Sequence, residues 1–405
     1  MVMAAHDAAS ELLSTGAIRE RCANITRAVE AGRSAHFRID RGRLQHAARI
    51  VAEVTWRRYR DRDIPYHSRW RLFDTGGFAR MSELNRQLAG YGAEERIRSL
   101  IDLAVISVIL DAGAGPAWRY REPGMIDDYS RSEGLAIASL RAFMGGAWSA
   151  SPGEPMRVDA AALAEIDAAT LGVWFQATPR NPLVGLEGRA ALLRRLGDVL
   201  EMRPDLFGLT ARPSALFDRM LGATTLSAPA ILRAVLDGFG GIWRRNGATH
   251  ATDIAGDVWR HPHAGGHGAS EGYVPFHKLS QWLVYSLFEP FEWAGVTITD
   301  RDALTALPEY RNGGLLIDSG VLRLVDEAAR SAVWETGSEI VVEWRALTVS
   351  LLDDLAQGVR AELGRPQLPL ACILEGGTWA AGRELATRLR NGAPPLNVQS
   401  DGTVF

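Results

Sequence analysis

The sequence predicts a mainly α protein with a minor strand content, on three observations. Apolar residues recur at three- and four-residue spacing in eight long segments, turn clusters separate those segments, and only one stretch reads clearly as extended. The first segment, Arg41 to Arg60, places Leu44, Ala47, Ala48, Val51 and Val54 on one face and arginines on the other. The pattern continues through Glu94 to Leu110, Glu133 to Phe143, Leu186 to Met202, Ala228 to Phe239, Phe276 to Trp293, Glu339 to Leu363 and Leu368 to Leu389. The longest apolar run, Leu103 to Leu110, is far too short for a membrane span and reads as a buried helix.

Between the helices lie Asp74 to Gly77, Arg121 to Gly124, Ser151 to Gly153 and the stretch from His261 to Gly268, all rich in residues that favour turns. The extended candidate is Asn397 to Phe405, after Ala393-Pro394-Pro395. A weak boundary near Ser151 to Pro155 divides an N-terminal helical region, 1–150, from a C-terminal one, 151–405. The two are expected to pack as one compact unit, because no linker-like stretch separates them.

The composition is that of an ordinary globular protein: 405 residues, 47% apolar, 23% charged, net charge -3. It lacks the basic excess of a general nucleic-acid binder, so neither nucleic acid nor membrane is an expected partner. Cys22 and Cys372 are too few for a disulfide framework, and Met1 to Cys22 has no basic-then-apolar export pattern. A cytoplasmic setting is expected.

Lys278 is the only lysine: Lys and Arg number 45, and the other 44 are arginine. Arginine replaces lysine readily on a solvated surface but not where a compact, pKa-adjustable amine is needed, so a lone lysine in Val274 to Gln281 is a site candidate. His261, His263 and His267 invite a zinc reading, but neither cysteines nor a carboxylate at helical spacing accompany them, and a glycine-rich loop with incidental histidines fits better. No metal or cofactor is expected.

Asp74-Thr75-Gly76-Gly77 resembles half of a phosphoribosyl-binding loop, although a joint between two helices accounts for it better, leaving Asp74 as a hydroxyl acceptor. In Gly124 to Gly134, Ser130 and Glu133 form a capping box, which leaves Asp127 and Asp128 to be explained. Pro308 and Glu309 suit the first turn of a helix carrying Tyr310 and Arg311, and Asp318 suits the cap of the next. Glu375 and Trp379 share a helical face, and Gly376 and Gly377 between them imply close approach of a ligand or a neighbouring helix.

Taken together, Arg69 to Gly77, Gly124 to Gly134, Asn181 to Arg189, the Lys278 motif, Pro308 to Gly314 and Leu396 to Phe405 resemble the uracil-catabolism protein 4 family over nearly the whole chain. That resemblance implies a place in a route that degrades ribosylated uracil to urea. Phe276-His277-Lys278-Leu279-Ser280-Gln281, Glu309-Tyr310-Arg311, Glu343-Trp344-Arg345-Ala346 and Leu374-Glu375 with Trp379 are also similar, more distantly, to the queuosine-nucleotide N-glycosidases. In that family the acid before Tyr-Arg is an aspartate; here it is Glu309, one methylene longer.

The second resemblance implies a helical fold related to DNA glycosylases and carboxylate-assisted cleavage of a ribosyl N-glycosidic bond; together the two resemblances imply an N-ribosyl hydrolase acting on ribosylurea or its 5-phosphate. Glu309 would stabilise charge at the anomeric carbon, with Asp318 and Asp127 as the other candidate acids. Lys278, among Phe276, Trp282 and Tyr310, would donate to the leaving urea. Asp127, Asp128 and Asp318 would hold ribose hydroxyls and Arg311 or Arg131 a phosphate. Asp74, His277, Gln281, Glu375 and Trp379 complete the expected binding set. The alternatives are a uracil phosphoribosyltransferase and a non-catalytic protein that binds a ribosylated intermediate. The oligomeric state is left open.

Overall fold

The computed structural model describes residues 10–243 and 256–399. All eight periodic segments are helical, and no end moves by more than three residues from its sequence-based position. The strands are short and paired two by two. Asn397–Gln399 is one of them, parallel to Val333–Glu335; the rest of the expected tail strand, 400–405, lies outside the described residues. No helix among the described residues is long and apolar enough to cross a membrane.

Two units divide the chain. The first comprises Met1–His67, Gly247–Gln281 and Asp300–Gln399. Its axis is the helix Glu339–Leu363, in which every residue from Ile340 to Val349 is buried, as expected of a helix covered on all sides. Helices Thr15–Glu30, Leu44–Arg58 and Tyr310–Asp318 pack against it, and Trp379–Arg390 packs on Tyr310–Asp318. Gly313 permits one crossing: a Cβ there would lie 2.6 Å from Trp344 Nε1. The antiparallel hairpin Val258–Arg260 with Tyr273–Pro275 joins the same core, where Ala264, Val274 and Phe276 meet Cys22 and Val342. Burial pushes the Cys22 thiol far above its usual range and that of Cys372 up to about 12, so both are inert packing residues.

The second unit comprises Ser68–Asn246, Trp282–Thr299 and Ser400–Phe405, and the stretch Ser151 to Pro155 lies within it. Helix Ala93–Ile109 is buried from Ser99 onward, which includes most of the apolar run, and packs on Arg131–Met144. Arg80 organises the glycine turn between helices Trp70–Phe73 and Arg80–Gln87. It donates to the carbonyls of Phe73 (2.9 Å) and Thr75 (2.8 Å), to Glu122 and to the Tyr129 hydroxyl. Gly76 has φ +83°, and a Cβ there would lie 2.7 Å from that hydroxyl, so only glycine fits. Two motifs distant in sequence thus share one buried arginine. Ser130 does precede the helix Arg131–Met144, but its side chain makes no capping bond.

Candidate functional site

Glu309 is the N-cap of helix Tyr310–Asp318, with extended backbone and its side chain folded back over the helix start. Its Oε2 accepts the Arg311 N–H at 2.8 Å and its Oε1 the Asn312 N–H at 2.6 Å, two donors that a helix start leaves without intrahelical partners. Each oxygen keeps acceptor capacity for a further partner. The residue is half-buried. Burial pushes the carboxyl above its ordinary value, and the two N–H groups with the charges of Arg311 and Lys278 draw it back only in part.

Lys278 opens the helix Lys278–Trp293, and its backbone N–H is capped from another segment, by Asp257 Oδ2 at 3.0 Å. The same carboxylate takes both Arg345 terminal nitrogens, at 2.7 and 2.6 Å, and the Trp259 indole N–H at 2.6 Å. Burial opposes its charge, but Arg345 and these donors outweigh burial and hold the Asp257 carboxyl far below its ordinary range. The Arg345 guanidinium lies 4.2 Å from the centre of the Phe276 ring. His277 adopts φ +46°, a conformation costly for a residue with a Cβ, and its Nε2 donates to the Leu12 carbonyl at 2.9 Å. Burial lowers the His277 pKa, which favours the neutral ring.

Gln281 ties this turn to the Glu309 segment. Its side-chain nitrogen donates to the Phe276 carbonyl (3.0 Å) and the Thr305 hydroxyl (2.7 Å), while its oxygen accepts the Thr305 N–H at 2.8 Å. Lys278 and Glu309 are therefore held by one hydrogen-bonded frame.

Trp379 stands beside the Arg311 guanidinium. The Arg311 guanidinium lies 4.6 Å from the Trp379 ring centre and 5.1 Å from that of Tyr310; Arg311 is buried, and among the described residues no carboxylate hydrogen-bonds its guanidinium. Trp379 also faces His67, at 6.4 Å between ring centres. The expected continuous helix is interrupted here by a π-helical turn, Leu374–Thr378. Such a turn inserts a residue into the ladder and re-aims the side chains it carries. Glu375 within it accepts from Tyr59 (2.8 Å) and Arg58 (2.8 Å) and contacts His67 Nδ1 at 2.9 Å. Burial alone would raise this carboxyl, yet His67, Arg58 and Tyr59 together hold it below its ordinary value.

With this geometry in view, comparison with known proteins decides the family. A family model described as protein of unknown function, DUF1688, matches residues 11–405. The chain belongs to this family. It is 37% identical to Protein urg3 of Schizosaccharomyces pombe, an alignment covering 98% of each chain. It is 35% identical to Uracil catabolism protein 4 of Lachancea kluyveri, covering 97% of this chain and 98% of that one.

Within this DUF1688 chain the other sequence-named residues are placed as follows. Asp318 ends the helix that Glu309 begins, roughly 13 Å away at 1.5 Å per residue. It caps no following helix and forms a two-pronged ion pair with Arg390, at 2.7 and 2.6 Å. Asp74, Asp127, Asp128 and Arg131 belong to the second unit. There Asp74 caps the Met81 N–H at 2.9 Å and borders a cleft of about 1060 Å³ that includes Trp70, Arg71 and Trp293. Asp127 is exposed, Asp128 pairs with Arg121 at 2.7 and 2.8 Å, and Arg131 has φ +54°.

Of the three loop histidines, only His261 joins carboxylates: one donor atom each from His261, Glu339 and Glu343 fall within 4.8 Å of one another. His261 Nδ1 accepts the His263 N–H at 3.1 Å, which puts the ring proton on Nε2, facing Glu343 at 3.4 Å. A ring that ligates through Nε2 carries its proton on Nδ1, toward an acceptor. The Nδ1 bond therefore favours a histidine-carboxylate contact, while His261 Nε2 and Glu343 Oε2 are both buried and make no hydrogen bond among the described residues.

Asp257, His67, Arg58 and Tyr59 are the residues that sequence reasoning passes over. Asp257 carries no motif, and His67 follows Pro65-Tyr66 in a stretch without helical period. Their only signal is spatial.

Proposed function

We propose that this protein is an N-ribosyl hydrolase of uracil catabolism, which cleaves the N-glycosidic bond of ribosylurea or its 5-phosphate and releases urea. The observation that carries the reading is Glu309: the carboxylate of a half-buried residue, fixed by two backbone N–H groups, with Lys278 and Arg311 close enough for their charges to act on it. The names of two relatives of nearly full length supply the pathway: one is called Uracil catabolism protein 4 and the other urg3.

In this reaction a water oxygen bonds to the anomeric carbon as the C–N bond breaks. The bonding pair stays on the urea nitrogen, which takes up a proton, and the water loses one. Positive charge develops at the anomeric carbon and ring oxygen, and a fixed carboxylate stabilises it without reorganising. The acceptor capacity left on the Glu309 oxygens orients the incoming water. Lys278 donates to the departing urea, a poor leaving group as an anion. Trp379 and Tyr310 offer apolar faces beside the Arg311 guanidinium, which suits a sugar bearing an anionic group.

A phosphoribosyltransferase would need an extended parallel sheet to deliver its loop, whereas the strands among the described residues form only two-stranded pairs. The test is urea release by purified protein from ribosylurea and from its 5-phosphate. Release from either, lost in Glu309→Gln, supports the reading; no release from either substrate, or wild-type release by the variant, overturns it.

A further inference from the structure

We infer that Asp257 is a positioning residue for the catalytic pair, setting Lys278 against Glu309 by capping the lysine's helix from outside and anchoring it to Arg345. The inference rests on the reading of Lys278 and Glu309 as the working pair, but its geometry is independent of the reaction.

A helix N-terminus is ordinarily capped by the side chain of its own N-cap residue. Here that residue is His277, whose ring is committed to the Leu12 carbonyl and lies in contact range of Gly256, where a Cβ would be 3.3 Å from the ring. The cap comes instead from Asp257, 21 residues earlier, whose carboxylate meets the Lys278 N–H while its own carbonyl accepts the Phe276 N–H at 2.8 Å. The segment from Phe276 to Lys278 is thus clamped at both ends of one aspartate, across the hairpin pairing of Val258 with Pro275.

That clamp accounts for the strain. His277 holds φ +46° between two residues pinned to Asp257, a conformation that persists only where surrounding contacts over-determine it. Arg345 completes the anchor. It comes from the buried axis helix Glu339–Leu363, grips both Asp257 oxygens and stacks on Phe276, so the Lys278 turn is tied to the buried centre of its unit. Thr305, bridged through Gln281, sets the opposite side.

Because Lys278 is the only lysine, it can be read by itself. Reductive ¹³C-dimethylation keeps the charge and labels this side chain and the N-terminal amine, which the lower pKa of the latter separates. Among the described residues, the charged groups that bear on the readout include Glu309, which feels the Lys278 charge, with Asp257, Arg345 and Arg311. The titration midpoint of the Lys278 signal is compared in wild type, Glu309→Gln, Asp257→Asn and the double variant.

Glu309→Gln should lower the midpoint by about 0.5 pH unit or more, since an opposing charge is lost. In the Asp257→Asn background the same change should move it by less than about half as much. Equal shifts in both backgrounds, or no shift in wild type, overturn the inference. Asp257→Asn leaves Arg345 buried without its counter-charge and could fail to fold. Asp257→Asn with Arg345→Gln removes both charges and tests the same coupling. A protein that releases no urea but shows the reduced coupling would refute the proposed reaction and leave the positioning role standing.

Discussion

Gln281 and Thr305 exchange two hydrogen bonds, side-chain nitrogen to hydroxyl at 2.7 Å and backbone N–H to side-chain oxygen at 2.8 Å, in a fully buried setting. The exchange joins the turn bearing Lys278 to the segment bearing Glu309, so one amide side chain fixes two site residues that are 31 positions apart (309 minus 278).

Replacing that amide by a similar apolar volume should therefore cost both stability and geometry. Gln281→Leu removes the Gln281 partner of the buried Thr305 N–H and Phe276 carbonyl, a loss of about 2 to 6 kcal/mol for two such groups. Urea denaturation at neutral pH should show a lower midpoint at unchanged slope. A variant as stable as wild type would mean that water or a neighbouring group replaces the amide.

Glu309→Gln separates chemistry from stability. Since burial raises the folded-state pKa of Glu309 above 4.5, ionisation disfavours the fold: the favourable contribution of the protonated form is complete below about pH 4 and is lost as pH rises through the folded pKa. Glutamine has no such pH-dependent penalty and keeps an acceptor for one of the two helix N–H groups, losing the other at every pH. The variant's stability relative to wild type should thus improve from pH 4 to pH 7, with urea release abolished. Thermal unfolding at both pH values measures this, and a relative stability that falls with pH would contradict it.

Glu375 should behave in the opposite sense. Its folded pKa is lowered by His67, Arg58 and Tyr59 against the pull of burial, so its stabilisation is present above about pH 4.5 and disappears as pH falls through the folded value. Glu375→Gln should cost about 1.5 to 3 kcal/mol at pH 7, the range for hydrogen bonds to a charged group. The gap to wild type should be smaller at pH 3 than at pH 7. Denaturation of both proteins at the two pH values tells whether it does.

Lys278→Arg tests the amine itself. The charge is retained but the compact donor is replaced by a planar fork on a longer stem, and a donor that protonates the leaving urea is worth about 10²-fold or more. Single-turnover urea release should fall by at least that factor with the fold intact. Full activity would return the lone lysine to a compositional accident.

The helices were legible because burial of one face imposes a period that each segment carries in itself. Arg41 to Arg60 and Ala228 to Phe239 show it plainly, and both are helical within a few residues. The candidate site was legible in part. Lys278 stood out by composition and Glu309 by its place before a helix, whereas the break at Leu374–Thr378 had only the hint of twin glycines, because a π-turn does not change which residue types are apolar.

What the sequence determined alone was the helical class, the extent of the long helices and the presence of one irreplaceable-looking amine. What the tertiary structure decided was who holds that amine and its partner acid. His67 reaches Glu375 across 308 positions, Arg345 reaches Asp257 across 88, and Asp318, promising on paper, is committed to Arg390. Hydrogen bonds between distant segments leave no period in either segment. They are set by which helices the core brings side by side, and only the packed chain records that.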